Sequence, residues 1–106
     1  MRFKLKHPTI PMRSATYGLD AGMGGYFVEV RENRKILKCY DPITQGYDAK
    51  HPLQGALEFL ASLEFFEQDD IFLANLALQN QLPEEIEEPE LRLAAEVIVN
   101  FKTASD

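Results

Sequence analysis

Apolar positions recur with two different periods along this chain, and the change falls near its middle. In Arg2-Phe3-Lys4-Leu5-Lys6 basic and apolar residues alternate. That is the period of a strand with one wet face, with Phe3 and Leu5 toward a core. Pro8 and Pro11 end the strand. Arg13 to Leu19 reads as a second strand and Asp20-Ala21-Gly22-Met23-Gly24-Gly25 as a turn-forming loop. Tyr26 to Asp41 reads as a hairpin about a turn near Asn33-Arg34. The expected register sets Val28 opposite Cys39 and Val30 opposite Leu37, all on one side, with Glu29 opposite Lys38 and Phe27 opposite Tyr40. A four-residue loop from Glu32 to Lys35 gives the same register.

Beyond the loop from Asp41 to His51 the spacing becomes helical. Pro52 suits a first helical turn, and Leu53, Leu57, Leu60 and Leu63 follow on one stripe. Asp69 or Asp70 is positioned to cap a second helix from about Ile71 to Gln81, which Leu82-Pro83 closes. A third is expected from about Pro89 to Lys102, with Leu91, Ala94, Ala95, Ile98 and Phe101 buried and Glu88, Arg92 and Glu96 pairing along its outer side. Val97-Ile98-Val99, a β-branched run, also fits a strand. Strands followed by helices predict an α+β fold. In it, an antiparallel sheet of three or four strands is covered on one face by two or three C-terminal helices. No repeat or composition break divides residues 1–106, so one domain is expected.

Composition narrows the classes. The chain has 106 residues, 45% apolar and 26% charged, which suits a globular domain rather than a disordered one. One cysteine excludes an internal disulfide framework and four-cysteine zinc sites. Met1 to Pro11 has no continuous apolar segment of the secretory kind, and no run approaches the roughly 18–20 apolar residues of a membrane span. A reducing cytoplasm is the expected location. Charge is divided unevenly. Residues 1–52 hold nine basic and five acidic side chains, a net +4, and residues 53–106 hold two and twelve, a net −10. A basic side and a strongly acidic side follow, which bears on partners rather than on fold.

Several motifs invite a chemical reading, each with a plainer competitor. The glycines between Gly18 and Gly25 resemble a phosphate-cradling loop, but a strand follows them instead of a helix, which fits a hairpin better. Cys39 with a histidine could form a nucleophilic pair, but the expected register turns the thiol inward, where cysteine acts as a small hydrophobe. Asp41, Asp48 and His51 share a loop and could hold a ligand or metal, yet they match no metal-ligand spacing, and Asp-Pro turns and helix caps explain them. No catalytic set, cofactor motif or metal site is expected. Arg2, Lys4, Lys6, Arg34, Lys35 and Lys38, with Tyr17, Tyr26, Tyr40 and Tyr47, could bind nucleic acid. The net charge of −6 and the lack of an RNA-recognition motif weigh against it.

The acidic run Glu84-Glu85-Ile86-Glu87-Glu88-Pro89-Glu90 is either a solvated linker or a contact for a basic partner. Residues 53–66 are nine-fourteenths apolar, more than one buried stripe requires. That excess suits a protein partner or a second copy of the chain. The expected function is therefore a small protein-binding regulatory module, an adaptor or inhibitor. Tyr17, Tyr26 and Tyr47 are its expected anchors and Glu84, Glu85, Glu87 and Glu88 its electrostatic contact. The runner-up is a small-ligand binder or enzyme using Asp41, Asp48 and His51. A nucleic-acid binder through the basic strands comes third.

Overall fold

A computed structural model describes residues 1–22, 24–43 and 51–104. Four strands, β1 (Arg2–Lys6), β2 (Arg13–Asp20), β3 (Gly25–Glu32) and β4 (Lys35–Tyr40), form one antiparallel sheet in sequential order. Three helices follow, α1 (Pro52–Ser62), α2 (Gln68–Ala77) and α3 (Pro89–Ala104), with a short 3-10 turn at Pro83–Glu85. The fold is α+β, with the strands in the N-terminal half and the helices in the C-terminal half. Among the described residues no helix is long and apolar enough to cross a membrane.

Period-two alternation decides which sheet face is covered. Ala15, Tyr17, Val28, Val30 and Tyr40 point to one side and are each no more than 7% exposed. α1 packs against β3 and α3 against β2 on that side. The core is completed by Leu57, Leu60, Phe65, Ile71, Ile98 and Phe101. Burying an aliphatic or aromatic side chain of this kind contributes roughly 1.5–3 kcal/mol, so this shared layer holds strands and helices together. α2 lies further out, packed on α3 and α1. At the edge of the core, Arg13 ties the two halves, pairing with Glu32 at 2.9 Å and donating to the Leu63 carbonyl at 3.0 Å.

The β3–β4 hairpin departs from the expected register. Asn33 and Arg34 both take positive φ, 55° and 68°, forming a two-residue turn, and Glu32 faces Lys35 and Arg31 faces Ile36 as anticipated. A bulge between Val30 and Arg31 then shifts the pairing by one. Val28 faces Tyr40, Glu29 faces Cys39 and Val30 faces Lys38. One extra residue in a strand exchanges its inward and outward sets. Tyr40 thereby turns inward, lies tilted against Phe59 with ring centres 5.7 Å apart and donates its hydroxyl to the Pro52 carbonyl at 3.2 Å. Cys39 moves to the other face.

The helix ends also differ. α2 begins earlier than expected because Glu67 is its N-cap, and Asp70 accepts the Glu67 N–H at 3.0 Å instead of capping by itself. It ends at Ala77 rather than Gln81. Val97-Ile98-Val99 is helical, with Val97 and Ile98 in the core. Arg92 does not serve the anticipated pairing with Glu88 and Glu96. Its guanidinium donates to the carbonyls of Ile86 at 2.7 Å and Glu84 at 3.0 Å, fastening the acidic turn to α3.

Candidate functional site

The three tyrosines expected as anchors have different fates. Tyr17 is a core residue, 2% exposed, packed 5.0 Å from Phe101, with its hydroxyl accepting from the Asn100 amide at 2.9 Å. Burial pushes its phenol up, with the Glu96 charge adding a little and the Asn100 bond opposing. Tyr26 is half-buried and meets Phe101 edge-on at 5.5 Å. Tyr47 lies outside the described residues, as does Asp48.

Asp41 is buried, 5% exposed, and its carboxylate accepts the Ile43 N–H at 2.8 Å, the turn chemistry of an Asp-Pro corner. His51 occupies the N-cap position of α1, but its side chain makes no capping hydrogen bond. Tyr26 and His51 do meet on one feature. Both border a cavity of about 410 Å³ with Leu53, Gln54 and Asn75 at the start of α1. Among the described residues no group of three or more His, Cys, Asp or Glu could hold a metal ion.

Cys39 is a poor nucleophile here. Burial is the first cause that raises its thiol above the ordinary value, and the Glu29 and Asp41 charges add to it, while Arg31 pulls the other way. A thiol held protonated lacks the activation a catalytic cysteine needs. The glycine-rich segment is the β2–β3 connection, where Asp20 accepts the Gly22 N–H at 2.9 Å and Gly24 takes φ 84°. His7 is 6% exposed. Its Nδ1 accepts the backbone N–H groups of Thr9 and Ile10, and its ring lies 4.7 Å from Phe65. That is a loop-locking role.

The acidic run divides into structural and free parts. Glu85 accepts the Leu82 N–H at 2.8 Å and so stabilises the 3-10 turn, while Ile86 is buried at 3%. Glu84, Glu87 and Glu88 are exposed. The excess apolar surface is not where the sequence located it. In α1 and the turn after it, Ala56, Leu57, Leu60, Phe65 and Phe66 are buried, and Leu53, Phe59, Ala61 and Leu63 pack against them. In α2, Ile71 and Ala74 point inward, whereas Phe72, Leu73 and Leu76 are 69%, 45% and 49% exposed. The signal for this was present. Apolar residues surround α2 instead of forming one stripe, and a helix of that kind must be enclosed or must show apolar surface.

Two surfaces thus stand out, the outward side of α2 and the basic open face of the sheet. Comparison with known protein families, curated proteins and solved structures finds no match for this chain.

Proposed function

We propose that the chain is a small protein-binding module, an adaptor or inhibitor of the cytoplasm without a catalytic centre, and that α2 carries its contact surface. The observation behind this reading is the outward display of Phe72, Leu73 and Leu76 by a helix whose other side is engaged by α3 and α1. Interfaces draw most of their energy from a few aromatic and aliphatic side chains that become fully desolvated, and Phe72 is the natural anchor. Asp69 precedes the apolar patch on the same side of the helix, and the exposed acids Glu84, Glu87 and Glu88 come later in the chain, between α2 and α3. The complementary partner is a protein segment with apolar side chains set among Lys and Arg, steered in by the opposite charge. A second copy is the poorer fit, because it would bring the same acids against these.

The test is affinity capture with the wild-type chain and with Phe72→Asp, read by mass spectrometry. A protein held by the wild type and lost by Phe72→Asp, at unchanged melting temperature, is expected. Equal capture by both baits removes α2 from the interface. A dimer in light scattering that Phe72→Asp dissolves would replace the foreign partner with a second copy. If Asp41→Ala or His51→Ala abolishes a small-molecule thermal shift that Phe72→Asp leaves intact, the ligand-binding reading takes its place.

A further inference from the structure

The sheet face turned away from the helices is basic. Strand pairing brings Lys6, Ser14 and Arg31 into one row across β1, β2 and β3, and Lys4, Thr16 and Glu29 into the next. Lys4, Lys6, Ser14, Thr16 and Arg31 border a concavity of about 520 Å³. A second, of about 380 Å³, shares Lys6, Ser14 and Arg31 and extends to Arg34. The nearby acids are engaged. Glu29 holds Arg31 at 2.7 Å, Asp20 holds Arg2 at 3.1 Å, and Asp41 is buried at the far end of β4. Lys4, Lys6 and Arg34 are exposed, and none of them has an ion pair with a described residue.

We propose that this face binds the phosphate backbone of nucleic acid without reading its bases. Every group that faces the concavity with a free donor is an ammonium, a guanidinium or a hydroxyl, the set that phosphate oxygens accept from. The charges repeat: Lys4 and Lys6 are about 6.7 Å apart along β1, and Arg31 is two strands, about 10 Å, across from Lys6. A repeating cation array suits a polyanion better than a single anion. Arg31 is held ready by Glu29 at its Nε and by the Arg34 carbonyl at 3.4 Å. With Nε occupied, the fork that would clamp a planar carboxylate is partly used, whereas a tetrahedral phosphodiester accepts donors from several directions.

Among the described residues base stacking has no platform on this face. Tyr17, Tyr26 and Tyr40 lie on the helix-covered side, and Phe27 is 4% exposed beneath the Arg2 guanidinium, 4.8 Å away. Recognition therefore rests on charge alone. The net charge of −6 does not forbid it, because the acids among described residues 53–104 lie in the helical half of the fold. Those acids lie on the far side of the sheet from this face, and salt weakens the part of their repulsion that passes through solvent.

Fluorescence anisotropy of a labelled 20-nucleotide oligothymidylate, titrated with the full chain between about 50 and 200 mM salt, tests the proposal. Saturable binding is expected, with a log–log salt slope of about −2 to −3, since each phosphate contact on a single strand contributes roughly −0.7. Lys4→Glu with Lys6→Glu should weaken binding more than tenfold, and the milder Lys4→Gln with Lys6→Gln less. Lys102→Glu on α3 should leave it within about twofold, and an oligodeoxyadenylate should bind within about threefold. No saturable binding at the lowest salt, or binding indifferent to the Lys4 and Lys6 changes, overturns the proposal. Equal competition by polyglutamate of the same length also overturns it, making the ligand an acidic protein segment.

Discussion

α1 and α2 are neighbouring helices of similar length and similarly rich in Leu, Ala and Phe, yet they meet opposite fates. α1 lies against β3 on one side and α2 on another, so Ala56, Leu57 and Leu60 are at most 1% exposed and Leu53 and Phe59 are partly covered. α2 touches helices on its inner side, and Phe72, Leu73 and Leu76 face water. The helix that looks excessively apolar in sequence uses its apolar residues in the core. The one whose apolar residues run all round it displays them. How many neighbours a helix has, rather than how apolar it is, decides what remains for a partner.

The contrast can be broken most directly by truncation. Leu60→Ala should cost about 2–5 kcal/mol in urea denaturation, because it leaves a cavity in the shared layer. Leu76→Ala, on the exposed side of α2, should stay within about 0.5 kcal/mol. Similar costs at the two positions would mean that α2's outer side is not free surface. Next in size is Gly55→Ala. On an open helix this exchange gains about 1 kcal/mol. At this position a Cβ would collide with the Tyr40 hydroxyl, which donates to Pro52. A loss of about 1–3 kcal/mol is expected, partly recovered by adding Tyr40→Phe. A gain would show that α1 is less tightly seated on β4 than the geometry implies.

Tyr17 sharpens the picture on the sheet side. Its phenol is raised above the ordinary 10.0, chiefly by burial. The folded state then holds the proton more firmly than the unfolded chain. Stability from this group is fully present below the unfolded value and falls as pH rises past about 10 toward the folded value. Urea midpoints measured up to about pH 11 should decline more in the wild type than in Tyr17→Phe, which at neutral pH should itself cost about 1 kcal/mol for the lost Asn100 bond. The smallest effect is expected at the turn. Arg34 holds φ 68°, a conformation glycine adopts freely, so Arg34→Gly should add about 0.5–1 kcal/mol while removing one cation from the sheet face.

Much of the fold is legible in local pattern. β1 has the predicted bounds because five alternating residues stop two positions before a proline. α1 begins at Pro52 for the reason given by its fixed φ. The Asn33-Arg34 turn lies where the hairpin pattern centres it. What was not legible depends on distant contacts. The bulge at Val30 and Arg31 cannot be read from β4 itself, since its effect is to carry Tyr40 inward to Phe59 and Pro52 of a region twelve or more residues away. Tyr17 and Tyr26 looked like surface anchors because tyrosine favours interfaces, but Asn100 and Phe101, far along the chain, draw both into the layer beneath the sheet. The row of Lys6, Ser14 and Arg31 also needs three paired strands before its members become neighbours.

Residue order by itself determined the alternation of the strands, the helical spacing after Pro52, the α+β class and the unequal charge of the two halves. These are properties of near neighbours, set by pleat and helix geometry within a few residues. Tertiary structure alone decided which apolar residues stay in water, which face of β4 is inward, and which cations share a surface. Exposure and charge proximity are relations between segments, and they exist only after layers pack.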